Sequence, residues 1–251
     1  MTAGSPLSTA DLPRPDPRRG IFETLLVAGG RPIELDAHLA RLAAGTRELF
    51  GAPAMARIAG PARALVETRA AETSGRLARL RLTLAPDERG GLDLTAAVAG
   101  VDPSSPFPAA GSLTLGPIGV PGGLGAHKWA DRRLLEGAAA RLAGALPLVV
   151  DADGSVLEAE RANVFALRDG VLVTPPADGR ILPGIARVRV IEIAGDMGIP
   201  LIQGPLSLGD LDAADEAFLT GSIRGVEPLR AGAPDGLAAR IAAALRERWL
   251  G

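Results

Sequence analysis

Residues 121–127, Pro-Gly-Gly-Leu-Gly-Ala-His, do most to limit the folds open to this chain. Apolar spacing is regular on either side of them and stops across them. A proline followed by glycines with no periodicity reads as a linker between two halves. In the first half, "GIFETLLVAGG" (20–30) reads as a strand ending in a glycine turn, and "LDAHLARLAAGTRELFG" (35–51) keeps helical spacing, with Asp36 as a candidate N-cap. A second helical stretch, "PAMARIAGPARALVETRAAE", precedes two alternating runs joined by a Gly-rich turn, which predict a hairpin, and "GSLTLGPIGV" (111–120) reads as a further strand. In the second half, "WADRRLLEGAAARLAGA" predicts a helix, and "LPLVVDADGSVLEA" and "NVFALRDGVLVTPP" predict paired strands turning at Asp-Gly. "GIARVRVIEIAGDMG", a strand near "EAFLTGS" and a closing helix complete the chain. Hairpins and helices mix without strict βαβ alternation, which predicts an α+β fold rather than a doubly wound sheet.

The residue after the linker carries the chemistry. Of 27 basic side chains, 26 are arginine and one is lysine, Lys128. Arginine stays protonated and is not nucleophilic; a desolvated lysine can lose its proton, attack a carbonyl and form a Schiff base. The plain alternative is a surface lysine on the first turn of a helix. With no cysteine and only His38 and His127, thiolate catalysis, disulfides and a cysteine- or histidine-rich metal site are excluded. His127 is expected to face the linker. A net charge of −2, without a basic cluster, argues against a nucleic-acid partner. No run of 18 apolar residues and no signal-like stretch in 1–20 predict a cytoplasmic protein off the membrane.

If the carbonyl belongs to pyridoxal phosphate, other parts are required: an acid for the pyridine nitrogen, and N–H groups, a hydroxyl and an arginine for the phosphate. "SVLEAERANVF" offers Glu158 at a strand end. "LPGIAR" places Ile185 and Ala186 at a helix start, "LTGSIRG" offers Ser222 in a turn, and "HLARL" offers Arg41. Each alone is ordinary: an exposed strand-end charge, a helix cap, a loop and a solvated arginine. Asn163 is expected to close the turn after Glu158.

From Gly20 to Pro228 the sequence resembles the class IV, fold-type IV family of pyridoxal-phosphate enzymes. This family includes branched-chain and D-amino-acid aminotransferases and 4-amino-4-deoxychorismate lyase. "LDAHLARL" is similar to its H-x-x-R-L helix, "EAERANVF" to E-x-x-x-x-N-[VL]-F, "TPPADGRILPGIAR" to its T-P…L-x-G-[IV]-[TSM]-R segment, and "LTGSIRGVEPL" to its second phosphate turn. The resemblance implies that Lys128 forms the Schiff base and Glu158 meets the ring nitrogen, with Arg41, Ser222 and the N–H groups of Ile185 and Ala186 on the phosphate. It implies a homodimer acting on a small amino substrate. It also implies a small α/β domain over 20–115, an interdomain loop over 116–126 and a large domain over 127–251 carrying the lysine, with the cofactor between domains. Residues 1–19, rich in Pro, Ser and Asp, are expected to form a flexible tail.

The chain departs from the family in having no tyrosine, in placing Ala186 where threonine is common, and in lacking an R-G step after the threonine of "RLRLTLAPDERGG". The K-x-x-x-R run from Lys128 to Arg132 and the T-G-S-I-R-G run resemble the lyase members, which release pyruvate to give 4-aminobenzoate. The lyase substrate carries two carboxylates, so Arg132 and Arg224 are substrate-binding candidates; solvated faces or structural ion pairs are the alternative. A transaminase of branched-chain or D-amino acids, and a cofactor-free interaction protein on the same fold, are the other readings.

Overall fold

The computed structural model describes residues 5–73, 75–109, 113–230 and 233–251. In chain order the elements are β1 (Leu7–Ser8), β2 (Ile21–Ala28), β3 (Arg31–Pro32), α1 (Leu35–Phe50), α2 (Ala52–Ala71), β4 (Leu77–Pro86), β5 (Leu92–Gly100) and β6 (Leu115–Gly119). There follow α3 (Arg133–Arg141), β7 (Leu146–Val150), β8 (Val156–Ala159), β9 (Ala162–Arg168), β10 (Val171–Thr174), α4 (Ile185–Asp196), β11 (Leu201–Gln203), α5 (Leu208–Ala213), β12 (Glu216–Gly221), β13 (Gly225–Pro228) and α6 (Leu237–Leu250). The chain separates into two compact units, one of residues 15–105 with 127–132 and one of residues 1–14, 106–126 and 133–251.

The smaller unit is built on a four-stranded antiparallel sheet in the order β3-β2-β4-β5. Odd-numbered Ile21, Leu25 and Val27 of β2 share a core with Leu42 of α1 and Val66 of α2, as period-2 alternation requires. Lys128–Ala130 extend this sheet: the Phe22 N–H donates to the Lys128 carbonyl at 2.8 Å and the Ala130 N–H to the Gly20 carbonyl at 3.0 Å. Gly20 is obligatory there. It has φ 82°, and a Cβ would lie 2.0 Å from the Leu84 carbonyl oxygen.

The larger unit holds a nine-stranded mixed sheet. β9 pairs with β8 at its start and β10 at its end along one edge, and with β12 along the other. Val164 and Ala166 of β9 enter one core cluster with Leu148, Ala159 and Leu219. The opposite face of β9 presents Asn163 and Phe165; Phe165 stacks on Phe218 of β12 with ring centroids 5.2 Å apart. α4 and α6 both pack against β12.

Five expectations are corrected. Residues 116–119 are not the loop that the resemblance implied but part of β6, as the run "GSLTLGPIGV" reads, because they pair in parallel with Pro147–Val150. From residue 5 onward the N-terminal segment is ordered: Leu7 and Ser8 pair with Ile118 and Gly119, Leu7 and Leu12 pack on the core beside α3, and residues 17–19 form a 3₁₀ turn. Residues 1–4 of the expected tail lie outside the described residues. The helix expected from Trp129 begins only at Arg133, since residues 128–130 are committed to the sheet of the smaller unit. For the same reason Lys128 belongs to the smaller unit rather than to the body of residues 133–251. α1 starts from Glu34 in a left-handed conformation (φ 55°) instead of being capped by Asp36.

Candidate active site

In the smaller unit Lys128 is held by its own backbone. Its carbonyl is fixed by Phe22, and its Nζ lies 4.9 Å from the centroid of the Phe22 ring. Three residues on, Asp131 is buried and accepts the Asp16 N–H at 3.1 Å, so both flanks of the lysine are tied down. His127 does not face the linker. It packs on α1, where its Nε2 lies 3.3 Å from Glu48 Oε1, and its ring meets Trp129 edge-on at 5.0 Å.

Arg41 lies one helical turn after His38 on α1, and both turn toward β2. There they meet a side chain that sequence reasoning passed over, Glu23. Glu23 shares the core face of β2 with Ile21 and Leu25 and is 2% exposed. Arg41 donates from Nε at 2.9 Å and Nη2 at 2.6 Å to its two oxygens, and His38 Nδ1 lies 2.7 Å from Oε2. Burial pushes the Glu23 carboxyl up, but the Arg41 charge and the hydrogen bonds from His38 and Arg41 outweigh it and hold it at about 2. Burial drives His38 below its ordinary value, with the Arg41 and Lys128 charges adding to the effect, so a neutral imidazole donates Nδ1–H to the carboxylate. The signal available in the sequence was one acid inside the apolar run Ile-Phe-Glu-Thr-Leu-Leu-Val. A buried carboxylate demands partners, and the H-x-x-R spacing supplies two.

In the larger unit the sheet register builds a polar row. Asn163 is directly opposite Glu158 on β8 and directly opposite Thr220 on β12. Opposed residues of antiparallel strands project on the same face, so Glu158, Asn163 and Thr220 lie in line across three strands. All three are buried, at 7%, 3% and 2% exposure. Residues 182–184 cross this row: the Leu182 N–H donates to Glu158 Oε2 at 3.2 Å, and Asn163 Nδ2 donates to the Leu182 carbonyl at 3.0 Å. Asn163 therefore holds the segment leading into α4 rather than the local turn.

That segment delivers Ile185 and Ala186 to the first turn of α4, both buried. The helix is preceded by Gly184, and no side chain caps it. Its first N–H groups and the positive end of its dipole form an anion-binding feature. A Cβ on Gly184 would fall 1.9 Å from Asn163 Oδ1. We expect Gly184→Ala to displace either Asn163 or the start of α4 and to cost about 1–3 kcal/mol, read as a lowered unfolding midpoint. A midpoint equal to the wild type would refute this packing.

Arg187, one residue further, is 3% exposed. Its Nη2 donates to the Pro175 carbonyl at 2.8 Å and to Gln203 Oε1 at 2.9 Å, both neutral acceptors. Burial pushes its guanidinium down, yet it remains a cation in the first turn of a helix, and its Nε has no partner. Sequence reasoning missed it, since an arginine next to a cap position looks solvated. Ser222 stands half-buried in the turn between β12 and β13.

Arg224, expected to bind substrate, pairs with the buried Glu227 at 2.6 Å, and Arg161 approaches the same carboxylate at 3.6 Å. Its guanidinium thus serves an ion pair within the β12–β13 region. Arg132 follows the buried Asp131 and is itself half-buried. The structure brings Glu158, Ile185 and Ala186 together around residues 182–184, and it sets Arg41 on the Glu23–His38 cluster of the unit that carries Lys128.

These elements define a class before any particular relative. Residues 20–231 match the model of the family described as amino-transferase class IV, and the chain belongs to that family. The fold is that of the fold-type IV enzymes. A 4-amino-4-deoxychorismate lyase from Pseudomonas aeruginosa superposes with a TM-score of 0.69 at 26% identity, covering 91% of this chain and 90% of that one. A hypothetical aminotransferase from Mycobacterium tuberculosis, in its PLP-bound form, superposes with a TM-score of 0.77 at 24% identity, covering 99% and 95%. A protein named probable branched-chain-amino-acid aminotransferase from Synechocystis is 40% identical over 83 residues, 33% of this chain. That stretch spans 27% of the relative's length. No helix among the described residues is long and apolar enough to cross a membrane.

Proposed function

We propose that the chain is a pyridoxal-phosphate enzyme that releases pyruvate from 4-amino-4-deoxychorismate to leave 4-aminobenzoate. The residues present fit the cofactor on structural grounds. The chain's single lysine is anchored on both flanks, a carboxylate is buried at a strand end, and an uncapped helix start is backed by a buried cation without a carboxylate partner among the described residues.

Bound pyridoxal phosphate would supply an electron sink for the substrate's amino carbon. Lys128 Nζ would anchor the cofactor and, once released, move the proton at that carbon. Glu158, oriented by the Leu182 N–H, would hold a proton on the ring nitrogen. The N–H groups of Ile185 and Ala186, with the Ser222 hydroxyl, would bind the phosphate, and Arg41, held in place by Glu23, would add its charge. Arg132 and Arg224 stand as candidates for the substrate carboxylates, with the Glu227 pairing weakening the case for Arg224. Assembly as a homodimer belongs to the same proposal.

The observation that carries the lyase over a transaminase is in the sequence: the Lys128–Arg132 run and the T-G-S-I-R-G run resemble the lyase members, while solved lyase and aminotransferase structures both match nearly the whole chain. The transaminase is the second reading, favoured by the 40% identity to the Synechocystis protein over 83 residues. Incubation with enzymatically generated aminodeoxychorismate, in parallel with L-leucine and 2-oxoglutarate, separates them. The proposal expects pyruvate and 4-aminobenzoate with no amino transfer. Glutamate formed from leucine, without pyruvate from the first substrate, would replace it with the transaminase.

A further inference from the structure

One buried group near the start of α4 is not used by the residues assigned so far. Thr220 is 2% exposed, and its Oγ1 has no hydrogen-bond partner. A buried hydroxyl left unpaired is costly, and native structures rarely leave one without a reason. Its position is defined by the sheet. It stands directly opposite Asn163, on the face that carries Glu158 and is crossed by residues 182–184. Asn163 Oδ1 lies against Gly184, the residue before α4, and α4 itself packs on β12. Thr220 is therefore placed beside the uncapped first turn of α4. Ser222 follows two residues on, in the turn after β12.

The row is unequally satisfied. Glu158 accepts from Leu182, and Asn163 donates to Leu182. The hydroxyl alone lacks a protein acceptor or donor. Three residues after Gly184, in the first turn of α4, a second orphan, Arg187 Nε, belongs to a buried cation with neutral partners. An unpaired hydroxyl on β12 and an unpaired guanidinium N–H in the first turn of α4, with no side chain capping that helix, describe a cradle short of an anion. A hydroxyl can donate to a phosphate oxygen, and a cation can balance its charge.

We infer that Thr220 is a further phosphate-binding residue, its hydroxyl donating to the cofactor's phosphate at the start of α4. This rests on the pyridoxal-phosphate reading above.

The test uses the full chain, stripped of cofactor and titrated separately with pyridoxal 5′-phosphate and with pyridoxal, which lacks the phosphate. Quenching of Trp129 and Trp249 fluorescence reports binding. Thr220→Val keeps the side-chain shape and suits a strand, and it removes the unpaired hydroxyl, so the cofactor-free variant should unfold no earlier than the wild type. Its pyridoxal phosphate affinity should fall about tenfold to a hundredfold. Pyridoxal affinity should be unchanged, and Thr220→Ser should restore the loss. A valine variant that binds pyridoxal phosphate within twofold of the wild type overturns the inference. So does an equal loss for both ligands, which would mark a structural role. A wild type that binds neither ligand overturns the pyridoxal-phosphate reading itself, a separate result that needs no variant.

Discussion

Lys128→Arg is expected to leave a folded protein without activity. The lysine's place is set by main-chain bonds from Phe22 and to Gly20, which do not depend on its side chain. Arginine keeps the positive charge over the Phe22 ring, where the ammonium now lies 4.9 Å from the centroid. Folding stability should therefore change by no more than about 0.5 kcal/mol. What arginine cannot do is shed a proton and attack an aldehyde. Turnover should drop by at least about a thousandfold, the scale on which removal of a proton-transferring nucleophile is felt. After borohydride treatment in the presence of pyridoxal phosphate, the intact mass of the wild type should rise by one cofactor, and that of the variant should not. Wild-type turnover by the arginine variant would end the assignment of Lys128. A wild type that gains no mass would revive the cofactor-free interaction protein as the better description.

Much of the fold was legible because it rests on local signals. The Asp-Gly turn at 169–170 and the alternation of "NVFALR" and "VLVT" lead directly to β9 and β10. What escaped was non-local. Residues 116–119 read two ways, as the end of the strand "GSLTLGPIGV" and, through the family resemblance, as the start of the interdomain loop, and pairing with β7, about thirty residues on, decides for the strand. Lys128 was legible as a chemical anomaly but not as a sheet residue, since no periodicity announces three residues docking on β2. The same division runs through the site. Glu158, Ile185 and Ala186 come from contiguous motifs. Glu23 and Thr220 become visible only when α1 covers β2 and when β12 aligns with β9. Arg224 shows another limit: its motif suggests a ligand contact, and only the fold reveals that its Nη2 pairs with Glu227, three residues on, while its Nε has no hydrogen-bond partner.

Glu23→Ala should be the most destabilising of these substitutions in the smaller unit, because it removes the acceptor shared by two buried donors. His38 and Arg41, whose side chains are 1% and 12% exposed, would be left facing an apolar gap. Breaking a buried pair from one side costs about 3–5 kcal/mol, far more than the net worth of the pair. The unfolding midpoint should fall by roughly 10 °C or more. The acid response should change in a defined way. The Glu23 carboxyl sits at about 2 in the folded protein against an ordinary 4.5, so the unfolded chain binds the extra proton. Its stabilisation is complete above pH 4.5 and is lost as the pH falls toward 2. His38 is also depressed, from 6.5, so the unfolded chain again takes the proton first and stability declines as the pH drops below 6.5. Unfolding midpoints measured from pH 7 downward should show both losses in the wild type. The alanine variant should start lower and lack Glu23's share of the loss below pH 4.5, while keeping the decline that begins near 6.5, because burial and the Arg41 and Lys128 charges still oppose protonation of His38. A variant with the wild-type midpoint at neutral pH, or with an unaltered loss below pH 4.5, would mean that Glu23 does not hold His38 and Arg41 as the geometry requires. Arg41 would then have to be positioned for an anion by something other than this carboxylate.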